Sequence, residues 1–368
     1  MAYSSRLRKA VGAVRAALAD IGLERQSPQF SQHGEHKPLP DAPLVLVACS
    51  GGRDSMALAA VAQIVCASLG LRCGAVIVDH QLQDGSGAVA ERAAAGCRNL
   101  GLDPVLVRRA DVRDSGKGVE AAAREARYRE LCAVSCDAHA ACVLLAHTMD
   151  DQAETVLLGL LRGYGLDMVA GMPATTVREQ VLFVRPLLDL TRDETTGICE
   201  EDLHLAYWDD PTNGDSAEGP LPGNYPLRSR IRHDLLPAIE RFTGSDVIRH
   251  LAGNARLIQA DKAYLDSQAE RIAACSVTII GENDSDRGVI VAIDARTLGR
   301  EPRAMRLRVV AHALNQASVE ASAIQIEAID QLMVNWHGQS AVNLPRGYSA
   351  NRKKHVIRVC QDRAHANR

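Results

Sequence analysis

Residues 43–55 of the 368-residue chain read PLVLVACSGGRDS. The apolar run 43–49 leads directly into two glycines flanked by Ser50 and Ser55, and the helical pattern of 55–69 follows. Glycines allow a sharp turn that presents backbone N–H groups to an anion, and the start of a helix adds partial positive charge. This stretch therefore predicts a buried strand, a phosphate-binding loop and a helix, in that order.

Short apolar runs and Ala-rich helical patterns alternate after this stretch. Buried strands that alternate with helices are typical of βαβ units, whose parallel sheet is covered by helices on both faces. Thr191 and Glu194 form a capping-box signature that opens one more helix. The sequence predicts an α/β fold with strands near residues 43–49, 73–79, 104–109, 142–147 and 181–186 and helices near 55–69, 86–100 and 119–139.

Composition divides the chain into four parts. Residues 209–226 are crowded with Pro, Gly, Asn and Asp, which indicates a loop at the end of the first domain. A helical pattern then runs to about Cys275, and a strand near 289–293, helices near 302–316 and 323–336 and a hairpin follow. We therefore expect an N-terminal helix and linker (1–42), a nucleotide-binding parallel-sheet domain (43–215), a helical connecting region (216–280) and a C-terminal α+β domain (281–368).

The overall composition excludes several classes of protein. No apolar run reaches the roughly 18 residues that a membrane-spanning helix needs. None of the ten cysteines forms a C-x-x-C pair, so neither a disulfide scaffold nor a zinc knuckle is expected. The first twenty residues form a basic amphipathic pattern without the apolar core of a secretory signal, which predicts a cytoplasmic protein.

Basic residues cluster in two places although the net charge is −3. Arg124 and Arg127 lie three apart on a predicted helix and are candidates for binding phosphate, or for ordinary surface salt bridges. From Ala341 onward, seven Lys and Arg stand against one acid, which predicts either a surface for a polyanion or a solvated terminus. Aromatic residues make up only 3% of the chain, so a generic stacking platform for single strands is not expected.

Asp54 is an unusual residue inside a phosphate loop. A bare carboxylate repels phosphate, and a bound Mg²⁺ removes this conflict because it prefers carboxylate and phosphate oxygens. The alternative is an acid in the first helical turn that complements the helix dipole. The loop matches neither G-x-x-x-x-G-K-[ST] nor G-x-G-x-x-G, so the lysine that binds β- and γ-phosphates is absent and γ-phosphoryl transfer is not favoured.

Two other predicted strands also end in titratable residues. His147, Asp151 and Glu154 follow the fourth strand, and Asp79 and His80 follow the second. Ligands of open α/β sheets bind beyond the carboxyl ends of the strands, so these residues are candidates for one site with the loop. The alternatives are polar strand ends and acids that stabilise the start of a helix.

The order and spacing of these motifs resemble the tRNA(Ile)-lysidine synthetase family of PP-loop ATP pyrophosphatases. The match is strong from about Pro43 to Pro237 and less specific beyond it, where residues 344–359 resemble the end of the family's tRNA-binding domain. The matching motifs are SGGRDS (50–55), VDHQL (78–82), EAAAREARY (120–128), AHTMDDQAET (146–155), VRPLL (184–188), DPTN (210–213) and RSRIRHDLLP (228–237).

The resemblance implies a specific reaction. Members of the family bind ATP and Mg²⁺, adenylate C2 of the wobble cytidine of an isoleucine tRNA with a CAU anticodon, and release pyrophosphate. Free lysine then displaces AMP and forms lysidine. The resemblance thus makes this chain an ATP-dependent ligase that forms a carbon–nitrogen bond, with 43–215 as its adenylation domain and 281–368 as its tRNA-binding domain. A homodimer is left open.

The resemblance also assigns expected roles to individual residues. As catalytic residues it implies Asp54, Arg127, His147, Asp151 and Glu154, with Asp54 and Asp151 acting through Mg²⁺. As ATP-binding residues it implies Ser50, Gly51, Gly52, Arg53, Asp54, Ser55, Asp79 and His80. As tRNA-binding residues we expect Arg228, Arg232, Arg352, Lys353 and Lys354.

This chain departs from the family pattern at two of these motifs. Ser229 stands in the usual R-N-x-I-R, and Thr148 replaces the second histidine of the usual H-H-x-D-D. Neither change removes an ionisable group that the expected reaction needs.

Two alternative functions are weighed against this one. Other PP-loop enzymes would need cysteine pairs, a glutaminase domain or a C-terminal part without basic residues, and the sequence shows none of these. A non-catalytic tRNA-binding protein would be expected to have lost Asp54, Asp151 or the loop glycines, and all are present.

Overall fold

A computed structural model describes residues 3–32, 36–81, 85–112, 119–163, 165–210, 217–280 and 288–361. The chain divides into two compact units, Met1–Ile258 and Gln259–Arg368. The finer division into four parts stays a prediction. Within the described ranges, every helix is too short or too polar to span a membrane.

The first unit contains a six-stranded sheet in the order β3-β2-β1-β4-β6-β5. All pairs are parallel except β5 with β6, which confirms the predicted α/β class. The edge strand β5 was not predicted, because its sequence TTVR is mostly exposed and lacks an apolar run. The strands are β1 (Leu44–Ala48), β2 (Arg72–Asp79), β3 (Val105–Arg109), β4 (Cys142–Leu144), β5 (Thr175–Arg178) and β6 (Val181–Val184).

The three helices predicted at 55–69, 86–100 and 119–139 are confirmed to within two residues at each end. The predicted helical stretch after residue 226 is interrupted, because Gly244 ends one helix with a φ of +65°. The helices are α1 (Ser5–Asp20), α2 (Arg53–Leu69), α3 (Ser86–Asn99), α4 (Val119–Asp137), α5 (Met149–Arg162), α6 (Leu166–Val169), α7 (Arg192–Gly197), α8 (Leu227–Arg230) and α9 (Leu236–Thr243). A further helix, α10 (Val247–Ser276), begins in the first unit and ends in the second.

Both faces of the sheet are buried, which explains why the strands are apolar throughout. On one face, Val45 and Val47 of β1 belong to a core shared with α1, α2 and α3. On the other face, Leu44 and Leu46 belong to a core that contains Tyr128 of α4. The N-terminal helix α1 contributes an apolar stripe to the first of these cores.

The strand order reverses direction at β1, which has β2 on one side and β4 on the other. The phosphate loop follows β1, and the His147 segment follows β4. Parallel strands bring these carboxyl ends to one edge, the place where open α/β sheets bind ligands. The fold therefore brings the two strongest candidate motifs together.

The second unit is an antiparallel sheet packed against helices, in the order β7-β8-β11-β10-β9. Its core joins Val291 and Ile293 of the sheet with Val309 and Ile329 of two helices. The predicted strand, helices and terminal hairpin are confirmed. The elements are β7 (Val277–Ile279), β8 (Val289–Asp294), α11 (Ala295–Leu298), α12 (Arg303–Gln316), α13 (Ala323–Val334), β9 (Val342–Leu344), β10 (Tyr348–Lys353) and β11 (Val356–Gln361).

Candidate active site

The loop between β1 and α2 is built for close approach to an anion. Gly51 has a φ of +85°, and a Cβ on it would lie 2.9 Å from the Cβ of Ala93, so only glycine fits. The Ser55 hydroxyl accepts a hydrogen bond from the Ser50 N–H (3.2 Å) and donates one to the Gly52 carbonyl (2.8 Å). The N-cap residue of α2 is Gly52, which has no side chain to cap the helix, so the positive end of the helix dipole lies at this loop.

Asp54 lies in the first turn of α2 and is largely buried. Thr195 of α7 donates a hydrogen bond to its carboxylate, and the Arg192 Nε lies 3.8 Å from it. Burial outweighs these contacts and raises the pKa of Asp54 to about 6. This carboxylate is therefore an ion that its surroundings do not fully compensate.

Glu154 of α5 is fully buried and doubly paired. Its two carboxylate oxygens lie 2.6 Å from the Nε atoms of Arg228 and Arg232. A third guanidinium, that of Arg192, approaches to 3.6 Å. Asp151 lies against the same three arginines at 3.7–3.8 Å, so acids and arginines form one connected cluster.

Asp151 is also fixed by its own helix. It forms a capping box with Thr148, whose backbone N–H donates to the Asp151 carboxylate at 2.9 Å. Burial alone would raise its pKa, but the charges of Arg228 and Arg192 hold the pKa of Asp151 below its usual value. The hydroxyl of Thr148, at the departure from the family pattern, thus serves as a helix cap.

His147 and Arg127 face this site without partners among the residues the structure describes. The buried Nδ1 of His147 has no hydrogen-bond partner there, and burial lowers the pKa of His147 to about 3. Among the described residues no carboxylate lies against Arg127 of α4, and burial lowers the pKa of its guanidinium. A neutral imidazole and a half-buried guanidinium are both available to a ligand.

Two neighbouring cavities open at this edge of the sheet. The larger, of about 580 Å³, runs along the ends of β1 and β2 and includes Asp79 and His80. The smaller, of about 310 Å³, includes Asp54, His147 and Asp151 together with the phosphate loop. Ser50, Arg127 and Trp208 line both cavities.

The remaining residues expected to bind ATP lie around these cavities. Asp79 ends β2, is 6% exposed, and accepts a hydrogen bond from the Gln81 N–H at 2.9 Å. His80 lines the larger cavity; burial, followed by the charge of Arg127, lowers its pKa. Arg53 lines the smaller cavity and pairs with Asp209 at 2.9 Å.

The five residues expected to bind tRNA fall into three groups. Arg228 and Arg232 pair with Glu154 inside the first unit, as described above. In the second unit Arg352 donates to the carbonyls of Leu332 (2.7 Å) and Met333 (3.0 Å) near the end of α13 and lies over Trp336. The neighbouring residues Lys353 and Lys354 are exposed at the turn between β10 and β11.

Sequence reasoning missed three residues of the site, Arg192, Thr195 and Trp208. A signal for the first two was present, because both belong to the helix that the Thr191–Glu194 capping box predicts. No local signal pointed to Trp208.

A largely parallel sheet with this loop and acid cluster defines a nucleotide-binding enzyme of the PP-loop class. The family model described as a PP-loop domain matches residues 23–239, and the one described as the TilS substrate binding domain matches residues 294–365. A solved U34-tRNA thiolase from Methanococcus maripaludis covers 69% of this chain and 79% of its own, with 17% identity and a TM-score of 0.52, which shows the fold alone.

Two curated relatives define the family more narrowly. The chain is 62% identical to a tRNA(Ile)-lysidine synthase of Bifidobacterium longum subsp. infantis, over the full length of both chains. It is 42% identical to a tRNA(Ile)-lysidine synthase of Streptomyces coelicolor, over 86% of this chain and 84% of the relative. The chain belongs to the tRNA(Ile)-lysidine synthase family and is an ATP-dependent ligase.

Proposed function

We propose that this chain joins lysine to C2 of the wobble cytidine of an isoleucine tRNA with a CAU anticodon, and so forms lysidine. In the first step the C2 oxygen of the cytidine bonds to the α-phosphorus of ATP and pyrophosphate leaves. In the second step the lysine amine displaces AMP. One observation carries the proposal: a phosphate loop and a paired acid–arginine cluster meet at one edge of the sheet, in a chain of this family.

ATP binding is supported by the larger cavity and the loop. The volume of this cavity, about 580 Å³, lies in the range of small-molecule and cofactor sites. The glycine loop and the start of α2 provide N–H donors for the pyrophosphate part. Arg127, between the two cavities, supplies a positive charge for the α-phosphate, where charge develops as pyrophosphate leaves.

The donor set at the loop suits Mg²⁺. Among the described residues, no three His, Cys, Asp or Glu side chains form a complete metal site. Mg²⁺ commonly takes only one or two carboxylates from the protein and completes its shell with phosphate oxygens and water. Asp54, with its raised pKa, and Asp151 would hold the ion, which when bound neutralises charge on the leaving pyrophosphate.

The smaller cavity suits free lysine, because it presents both signs of charge. Asp54, Asp151, Arg192 and Arg232 all line it. The arginines can pair with the α-carboxylate of the lysine substrate, and the two aspartates can pair with its amines. His147, with a pKa of about 3, is neutral near pH 7 and acts there through hydrogen bonds.

The test is incorporation of labelled lysine into tRNA in the presence of ATP and Mg²⁺. We expect label in an isoleucine tRNA transcript with a CAU anticodon, and none in elongator methionine tRNA, which carries the same anticodon. Pyrophosphate release without lysine incorporation would move the function to another PP-loop reaction. Absence of both from a folded sample would favour a non-catalytic tRNA-binding protein.

The setting of the reaction follows from its substrates. ATP, free lysine and tRNA are all cytoplasmic, so we propose that the enzyme acts there. Homodimer assembly stays a prediction.

A further inference from the structure

The residues shared by the two cavities mark the position of the reacting atoms. The α-phosphate of ATP lies between the adenosine and the pyrophosphate, so it belongs at the junction of the two cavities. Ser50, Arg127 and Trp208 are the described residues that line both. The hydroxyl of Ser50 and the guanidinium of Arg127 both suit a phosphate. The indole of Trp208 does not.

Trp208 is fixed to the phosphate loop by its own backbone. Its N–H donates to the Gly51 carbonyl at 2.9 Å, and its carbonyl oxygen would lie 3.7 Å from a Cβ on Gly52. Its neighbours hold the first residue of α2, since Tyr207 lies under Arg53 (5.8 Å) and Asp209 pairs with Arg53. Trp208 itself is partly exposed and belongs to none of the buried core clusters.

The proposed reaction requires a flat, unstacked base at this junction. An enzyme that modifies a base must remove it from its stack, and aromatic side chains commonly receive such a base. Of the described residues that line either cavity, Trp208 alone carries an indole or phenyl ring.

Resting on the proposed function, we propose that the indole of Trp208 stacks on the target cytosine and places its C2 oxygen against the α-phosphate. The other base in the reaction is the adenine of ATP. An aromatic side chain that binds adenine would need to line only the larger cavity. Trp208 also lines the smaller cavity, together with Asp54 and Asp151. The position at the junction therefore favours the base of the tRNA.

The test compares Trp208→Leu with Trp208→Phe, which differ in whether an aromatic ring remains. Lysine incorporation by the unaltered enzyme is measured first, so that failure of the proposed function is seen separately. We expect Trp208→Leu to lower kcat/KM for tRNA by roughly 10- to 100-fold, the usual scale for loss of one base–aromatic stack, with KM for ATP unchanged. Trp208→Phe should recover most of this loss.

Two kinetic outcomes would overturn the inference. A rise in KM for ATP that accounts for the whole defect would assign the ring to adenine. Equal activity of the Leu and Phe variants, whether normal or reduced, would show that the aromatic ring has no role.

A second measurement on the unaltered enzyme does not depend on the folding of a variant. Tryptophan fluorescence is titrated with the CAU transcript and with the same transcript lacking the wobble base. We expect stronger quenching by the complete transcript, because only that one carries the base that stacks on Trp208. Equal quenching by both transcripts would contradict the inference.

Discussion

Asp54 and Glu154 are acidic residues of the same site, but they differ in how closely arginine side chains contact them. Glu154 is fully buried between two arginines at 2.6 Å, so its negative charge is neutralised within the protein. Asp54 has a longer contact with Arg192 and a hydrogen bond from Thr195, and these two contacts do not offset the desolvation of its carboxylate. The structure thus pairs the Glu154 carboxylate with two guanidinium groups, whereas the carboxylate of Asp54 is only partly compensated.

We expect Asp54→Asn to abolish adenylation of tRNA and to leave tRNA binding intact, because the change removes a ligand of the proposed Mg²⁺. Pyrophosphate release and tRNA affinity measure the two effects. Asp189→Asn, at an exposed position, is the matched control and should behave like the unaltered enzyme. Retained adenylation in Asp54→Asn would refute the metal role.

The same substitution should stabilise the ligand-free protein near neutral pH. Because folding raises the pKa of Asp54 from 3.8 to about 6, the fold favours the protonated acid. The stability that the protonated acid contributes is complete below pH 3.8 and is lost as the pH rises through 6. At pH 7 this loss lowers the unfolding free energy by about 3 kcal/mol. Urea unfolding should show Asp54→Asn to be more stable than the unaltered protein at pH 7, by an amount that shrinks toward pH 4. No difference at pH 7 would contradict this account of Asp54.

Glu154→Gln should be strongly destabilising, because it leaves Arg228 and Arg232 without their shared charge. Removing one partner of a buried pair costs about 3 kcal/mol. Urea denaturation measures this loss, and Glu327→Gln, which breaks an exposed pair with Arg303, is the control and should change stability by less than about 1 kcal/mol. Equal effects of the two substitutions would show that the buried cluster adds no stability.

At the scale of elements, the short helix α7 connects the N-terminal helix to the site. On one side, Lys9 of α1 pairs with Glu194 at 2.7 Å, and Arg6 pairs with Asp202 at 2.8 Å just beyond α7. On the other side, α7 supplies Arg192 and Thr195 to the acid cluster. Residues 5–20 therefore contact the segment that supplies Arg192 and Thr195 to the acid cluster.

Leu18→Ala in α1 should lower the unfolding free energy by about 2–4 kcal/mol, because Leu18 is fully buried in the core shared with the sheet. Thermal or urea unfolding measures this change. Leu39→Ala, at a position that is 60% exposed, is the matched control and should have little effect. A small effect of Leu18→Ala would mean that α1 does not support the first unit.

The sequence predicts elements with strong local signals and misses those that depend on distant partners. The apolar run before Ser50 and the Thr191–Glu194 capping box are local signals, and both predictions are confirmed. The edge strand β5 has no such signal, since its residues pair with β6 through their backbone. The break at Gly244 was missed because one glycine does not disturb a helical hydrophobic pattern enough to end it.

The same limit applies to the site. The loop, Asp54, His147 and Asp151 could be predicted because residue type and position at strand ends indicate their chemistry. The contact of Thr195 with Asp54 joins positions 141 residues apart, and no local pattern encodes it. The roles of these residues stay predictions, whereas their meeting at one edge of the sheet is a finding.

At the scale of the whole molecule, the distribution of charge matters more than the net charge of −3. Three arginines of the first unit contact the acid cluster, and Arg352 of the second unit donates hydrogen bonds to carbonyls near the end of α13. Lys353 and Lys354 differ, because both are exposed at the turn between β10 and β11. They are the better candidates for contacts with tRNA phosphates.

Replacing Lys353 and Lys354 together by Ala should weaken tRNA binding similarly for all tRNA sequences. The slope of log affinity against log salt should fall by roughly one to two, because each phosphate contact releases about one counterion. Filter binding over a salt series measures this slope, with Arg303→Ala, whose charge is already paired with Glu327, as the control. An unchanged slope would show that the two lysines are merely solvated.

The measurement that tests the central claim most directly uses ATP labelled at the α-phosphate, with Mg²⁺, the CAU isoleucine transcript and no lysine. If the site adenylates the wobble cytidine before lysine enters, labelled AMP should become bound to the tRNA as pyrophosphate is released. Addition of unlabelled lysine should then free the AMP. Lysidine formation without any tRNA-bound AMP, in a sample where pyrophosphate appears only after lysine is added, would contradict the account.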